Sequence, residues 1–357
     1  MSIVRTRRLS AALAPIVLLL LAACTNPLPP IAGPGVPVTG ANPDVPTTPL
    51  ANTSRITYGP WTVPAATGPG HENAGMIDQS LQIAVQKPCG NCYITGFTPQ
   101  LKYPDGSIAN IDTGLWLHHF GLYIFGRTDK TCPAPYPYNL LGERIFAGGN
   151  ERSRAILPKG VGVRVNPADM FMLVYDIMNT SQTAKPVTLE IVYNWVPSTT
   201  PGMHHARAVF LDVSPTCIES RMPGGPGPTF SMERTYPSPL VGRVVGLGGH
   251  MHDGGRHLTL KNATTGQLIC DSVAGYGGEG FEEAYADGSG HVGHGDTISH
   301  LSSLTQCVSP GIDRPIAVLK PGDQISVEGF YDVWDGTGQE HVEDGVMAHW
   351  FMYVVEE

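Results

Sequence analysis

The chain lacks the signatures of the common hydrolases and zinc proteins. No HExxH, no GxSxG and no paired CxxC zinc ribbon occurs in its 357 residues, which argues against zincin, α/β-hydrolase and zinc-ribbon chemistry. Charge is scarce, at 15% Asp, Glu, Lys and Arg. No long amphipathic helical pattern is present, which argues against a helical bundle. Basic residues are outnumbered, 22 against 31 acidic, for a net charge of −9. Without Arg5, Arg7 and Arg8 at the start of the chain the balance is 19 against 31, or −12. That argues against nucleic acid as a partner. The apolar run Ala11 to Ala22 falls short of the ~20 residues that span a bilayer. No internal repeat stands out.

The first 23 residues have instead the anatomy of an export signal, with a basic start, a short apolar stretch and small residues before a cysteine. Leu21-Ala22-Ala23-Cys24 matches the bacterial lipobox, so Cys24 is expected to carry lipid and become the mature N-terminus. "TRRLS" is a weak twin-arginine pattern that leaves the export route open. Residues 24–54 are rich in Pro, Gly, Thr and Asn without apolar period, and read as a disordered tether. The expected location is the extracytoplasmic face of a bacterial membrane, held there by the N-terminal lipid.

Glycine (43) and proline (32) are abundant, as suits short strands joined by turns. Candidate strands fall at 81–86, 116–126, 160–165, 170–178, 187–196, 206–213, 242–252, 256–262, 267–274, 323–333 and 346–355. This predicts an all-β chain of two antiparallel jelly-roll β-sandwich domains in tandem, residues 55–202 and 203–357, after the tether. With Cys24 set aside, Cys89, Cys92, Cys132, Cys217, Cys270 and Cys307 allow up to three disulfides, and sequence does not choose among the pairings. The CGNC at 89–92 is read as structural cystine rather than redox chemistry.

Thirteen histidines are many, and they cluster. In "GLGGHMHDGG" (246–255), His250 and His252 share one face of a strand and can ligate one ion if a third ligand arrives from a neighbouring strand. The last strand offers Met347 and His349 on one face. A thioether selects copper, above all Cu(I), so Met347 would decide the metal. His118-His119 is a different geometry, because adjacent strand residues face opposite ways. Both can reach one ion only at a bulge or twist. Asp253 and His257 are candidates to orient a ligating imidazole. His291, His294 and His300 are candidates for substrate contact or an extra ligand, or are plain loop residues.

Taken together, these segments resemble the copper type II, ascorbate-dependent monooxygenases, the family of peptidylglycine α-hydroxylating monooxygenase and dopamine β-monooxygenase. The resemblance rests on five pieces in order: "LHHFGLYIFG" (117–126), "RAILPKGVGVRV" (154–165), "GGHMHDGG" (248–255), "LKPGDQISVEGFYD" (319–332) and "DGVMAHWFMYV" (344–354). It implies one copper per domain across an open, solvated cleft, with ascorbate as reductant and O2 as co-substrate. A catalytic copper would be held by His250, His252 and Met347. An electron-relay copper would be held by His118 and His119, with Asp176 where the family has a third histidine. A carboxylate is a poor match for Cu(I), so that site is altered, weakened, or completed by His204 or His205. Gly248 stands where the peptide hydroxylase holds its substrate by an arginine, Phe351 replaces a tyrosine, and Ala348 replaces a disulfide cysteine. These departures argue against a glycine-extended peptide substrate.

Three functions are therefore in contention. The first is a copper monooxygenase with one or two ions per chain, acting with O2 on an unidentified small molecule. The second is a surface lipoprotein that binds copper for storage, sensing or delivery without turnover. The third is a metal-free scaffold that keeps only the sandwich pair.

Overall fold

The computed structural model describes residues 36–38, 51–68, 73–131, 141–151, 153–214, 229–276, 301–332 and 345–357, all within one compact unit, Ala32–Glu357. Among them the regular structure is strand, with a 3-10 turn at Ile111–Thr113 and no α-helix. The first strands are β1 (Val36–Val38), β2 (Asn52–Val63), β3 (Gly75–Val85), β4 (Cys92–Lys102), β5 (Leu115–Ile124), β6 (Glu143–Gly149), β7 (Ala155–Ile156), β8 (Val161–Val165), β9 (Phe171–Asn179) and β10 (Lys185–Pro197). They are followed by β11 (His204–Asp212), β12 (Thr229–Pro237), β13 (Gly242–Met251), β14 (Gly255–Asn262), β15 (Gln267–Tyr276), β16 (Leu301–Leu304), β17 (Gln306–Val308), β18 (Ala317–Leu319), β19 (Gln324–Asp332) and β20 (Ala348–Glu356).

Each strand read from alternation has a counterpart. The strands that alternation did not reveal include β6, at the edge of its sheet, and β12, whose outward residues are polar and exposed. Two pieces of the expected tether are also strand: β1 pairs with β17, and β2 begins at Asn52. Cys24, Cys132, Cys217, His291, His294 and His300 lie outside the described residues.

The strands form three sheets. An eleven-stranded sheet runs β1-β17-β13-β20-β11-β8-β4-β10-β2, with β18 on β13 and β7 on β4. A four-stranded sheet runs β3-β9-β5-β6, and a five-stranded sheet runs β12-β19-β14-β15-β16. Two hydrophobic cores result, and both lie against the large sheet. The first joins that sheet to the four-stranded one, through side chains such as Phe97, Leu122, Phe146, Leu173 and Tyr193. The second joins it to the five-stranded one, through Leu258, Leu260, Ile269, Ile325 and Val327.

Strand β20 shows how one sheet serves both cores. Trp350, Met352 and Val354 enter the second core, and Phe351, Tyr353 and Val355 enter the first, as a period of two requires. Burying each such side chain contributes about 1.5–3 kcal/mol. The disulfide Cys270–Cys307 joins β15 to β17 across the second core, and Cys89–Cys92 closes the loop before β4. No helix among the described residues is long and apolar enough to cross a membrane.

Candidate metal centre

The His-His pair on β5 meets the geometric condition that the sequence imposed on it. Leu117 pairs with Ile177 on β9, and His119 pairs with Asp176, so β5 spends one extra residue there. That extra residue is His118, a bulge. Its effect shows in the core phase. Leu115 and Leu117 enter the first core, but after the histidines the phase moves to Phe120, Leu122 and Ile124. Both histidines therefore leave β5 on the face away from that core.

His250 ends the other half of the cluster. It stands on β13 opposite His349 of β20, on the side of Phe351. Gly248 on that side has no room for a side chain, because a Cβ there would lie 2.2 Å from the Phe351 ring. The two departures from the monooxygenase pattern thus explain each other: the Phe351 ring occupies the space that an arginine at 248 would need. The halves meet at the end of β6. Gly149 pairs with His119, and a Cβ on it would come within 2.6 Å of the His250 ring.

The histidines expected on opposite sides of an open cleft are consequently ring to ring. Centroids are 3.9 Å apart for His118–His119, 5.3 Å for His119–His252, 4.9 Å for His119–His250 and 4.7 Å for His250–His349. The edge of the four-stranded sheet packs directly on the β13–β20 ribbon, and this closes the expected gap. Donor atoms of His118, His119 and His252 all lie within 4.8 Å of one another. A cavity of about 20 Å³ adjoins them, lined in part by Trp116, Asn150 and Leu301, with room for about one water.

Three imidazoles are anchored in one way. His250 Nδ1 faces Glu151 Oε2 at 2.9 Å, His252 Nδ1 faces the Gly345 carbonyl at 2.7 Å, and His119 Nδ1 faces Asp176 Oδ2 at 3.3 Å. Carboxylate and carbonyl oxygens only accept, so each Nδ1 is assigned as the donor and each Nε2 keeps its lone pair. This is the arrangement that metal-ligating histidines adopt. Asp176 is itself held by the Gln79 N–H, and Glu151, fully buried, accepts the Gly149 N–H at 2.9 Å.

The consequence falls between the two halves. His119 Nε2 and His252 Nε2 face each other at 3.2 Å. Two lone pairs that close repel unless a proton or a cation lies between them. Burial, and then His118, His250, His252 and His349, holds the His119 pKa well below its usual value, which disfavours the proton. Two ligands at about 2.0 Å from one ion in tetrahedral geometry lie about 3.3 Å apart, so the pair fits a first-row ion.

The remaining residues named from sequence are placed as follows. Asp176 lies behind His119, against its Nδ1. Met347 is buried, and among the described residues it belongs to neither hydrophobic core. Its backbone N–H and C=O both bond the Tyr331 hydroxyl, which also accepts the His252 N–H at 3.2 Å. Tyr331 thereby fixes the segment of Met347 relative to that of His252.

Asp253 Oδ1 accepts the Leu301 N–H, and His257 pairs with Asp271 and stacks on Phe330. His204 and His205 are on β11 beside β8, where His205 Nδ1 accepts the Arg164 N–H at 3.2 Å, and they do not complete the first pair. Sequence reasoning missed Glu151, Gly149 and Tyr331, and it left His349 without a role. The only local signal was the doubled glycine before Asn150.

No protein-family model matches the chain. Two fungal proteins are similar to it, and both are named for copper. "Probable copper-dependent oxygenase M1" of Phoma sp. (strain ATCC 20986 / MF5453) is 29% identical over 288 residues, covering 78% of this chain and 65% of that protein. "Probable copper-dependent oxygenase clz3" of Cochliobolus lunatus is 29% identical over 242 residues, covering 65% of this chain and 68% of that protein. The chain thus spans just under two thirds of the Phoma protein's length. Among solved structures, a peptide-N(4)-(N-acetyl-β-D-glucosaminyl) asparagine amidase is similar at a TM-score of 0.39 and 14% identity, covering 86% of this chain and 97% of that one. That likeness is too weak to bear on function.

Proposed function

We propose that this chain is a copper-dependent oxygenase whose metal is held jointly by the two halves of the β-structure. The observation that carries the reading is the pair of facing Nε2 atoms, His119 from β5 and His252 just after β13. Similarity to two proteins named as probable copper-dependent oxygenases supports it. His118, His119 and His252 would hold one ion, with Met347 as the further donor that the monooxygenase resemblance implies. We read Asp176 as orienting His119 rather than as a ligand, because it lies against Nδ1. Bound copper would supply redox cycling and dioxygen chemistry.

The protein's own part is to hold and orient the imidazoles. Asp176, Glu151 and Gly345 fix three rings, Tyr331 ties the backbone of His252 to that of Met347, and the packed sheets bury His250 and His252. The co-substrates would be O2 and a small organic molecule, with a reductant such as ascorbate. The resemblance implies two jelly-roll domains, 55–202 and 203–357, as the carriers of this chemistry. The lipobox at Cys24 would tether them to the extracytoplasmic face of a bacterial membrane. The test is oxygen uptake with ascorbate by the copper-loaded chain, measured above free copper and against His252→Ala. Uptake that depends on His252 supports the oxygenase. Stoichiometric copper without uptake supports a binding protein instead, and no copper at all removes both.

A further inference from the structure

Two buried ring nitrogens are left over by the centre described above. His250 Nε2 and His349 Nδ1 are each shielded from solvent and have no hydrogen-bond partner. Native interiors rarely tolerate this, since an unsatisfied buried polar atom loses its hydration without a partner in return. These two are not scattered. His250 and His349 occupy facing register positions on neighbouring strands β13 and β20. Their side chains leave the same face of the sheet, and their rings stack at 4.7 Å with planes 29° apart. His250 is already oriented from behind, because Glu151 takes its Nδ1.

We propose that His250 Nε2 and His349 Nδ1 form a second metal position, distinct from the one held by His118, His119 and His252. The ligands would then be divided differently from the monooxygenase pattern. His250 and His252, neighbours in sequence, would serve different ions, and His349 would be a ligand that the pattern does not contain. Two imidazole lone pairs suit a borderline-soft ion such as copper. This inference rests on the reading that the histidine cluster binds copper.

The experiment loads the full chain with Cu(I) under reductant and removes loosely held metal with a Cu(I) chelator. Copper per chain is then counted, with unfolding of each metal-free variant followed by circular dichroism. The wild type should retain two coppers. His349→Phe, which keeps a ring against His250 but offers no donor, should retain one. His349→Met, which restores a soft donor, should recover the second. His119→Ala should lose one ion and keep the His349-dependent one. Where His349→Phe fails to fold, His349→Met against His349→Leu, of similar size, decides instead. Two coppers in a folded His349→Phe or His349→Leu would overturn the proposal. One copper in the wild type, unchanged by His349→Phe, would overturn it and leave the oxygenase reading standing. No copper in the wild type would overturn the oxygenase reading itself.

Discussion

Strands β13 and β20 carry two largely buried faces of opposite content. Toward the second core they present Leu247, Met251, Ala348, Trp350 and Met352. Toward the end of β6 they present Gly248, His250 and His349, with His252 just beyond. The first face is satisfied by packing alone. The second contains two ring nitrogens with no partner and a third that meets another imidazole at 3.2 Å. Both are built by the same alternation on the same pair of strands, so burial does not separate them. What separates them is whether each face is complete without a further atom. Local choices that conflict with a well-packed interior mark places kept for function.

The largest effect should come from the complete face. Trp350→Ala removes a fully buried indole that also donates to the Thr259 carbonyl, and should destabilise the chain by about 3–5 kcal/mol in urea unfolding. Copper bound per folded chain should not change. Gly248→Ala acts at the boundary of the two faces. Its Cβ would collide with Phe351, so a loss of about 1–3 kcal/mol is expected, partly restored by adding Phe351→Leu.

Glu151→Gln acts on the incomplete face alone. It should lower copper affinity about 10–100-fold by releasing the His250 ring, with urea unfolding of the metal-free chain much less affected than by Trp350→Ala. If Trp350→Ala and Glu151→Gln moved stability and affinity alike, the distinction between the faces would collapse.

His205 sharpens the comparison as a histidine that has its partner. Burial, and then Arg127, lowers its pKa to about 4. A histidine depressed in the folded state favours folding above its unfolded pKa of about 6.5. That contribution is lost as pH falls from there toward 4, because the unfolded chain takes up the proton first. The wild type should lose about 1 kcal/mol per pH unit in that window from this group, allowing for its partial exposure. In His205→Gln the slope of unfolding free energy against pH should be shallower.

Much of this was readable in advance. Alternation located β5, β9, β13, β14, β19 and β20, and the spacing of His250 and His252 placed them on one face. The bulge at His118 was also written in the chain, as the shift of apolar phase from Leu115 and Leu117 to Phe120 and Leu122. What sequence could not supply were contacts set by the packing of sheets. Glu151 lies 99 residues from His250, and Tyr331 lies 79 from His252. Neither has a local pattern to announce it. The meeting of His119 with His252, 133 residues apart, is of the same kind. It follows from the β6 edge resting on the β13–β20 ribbon, which no strand pattern specifies.

The most direct test of a centre shared by both halves is anomalous diffraction at the copper edge from crystals of the copper-loaded chain. A peak is expected between His119 Nε2 and His252 Nε2, touched by residues of β5 and by the segment after β13. Peaks that each touch histidines of one half only, with His119 and His252 bound to different ions, would contradict it.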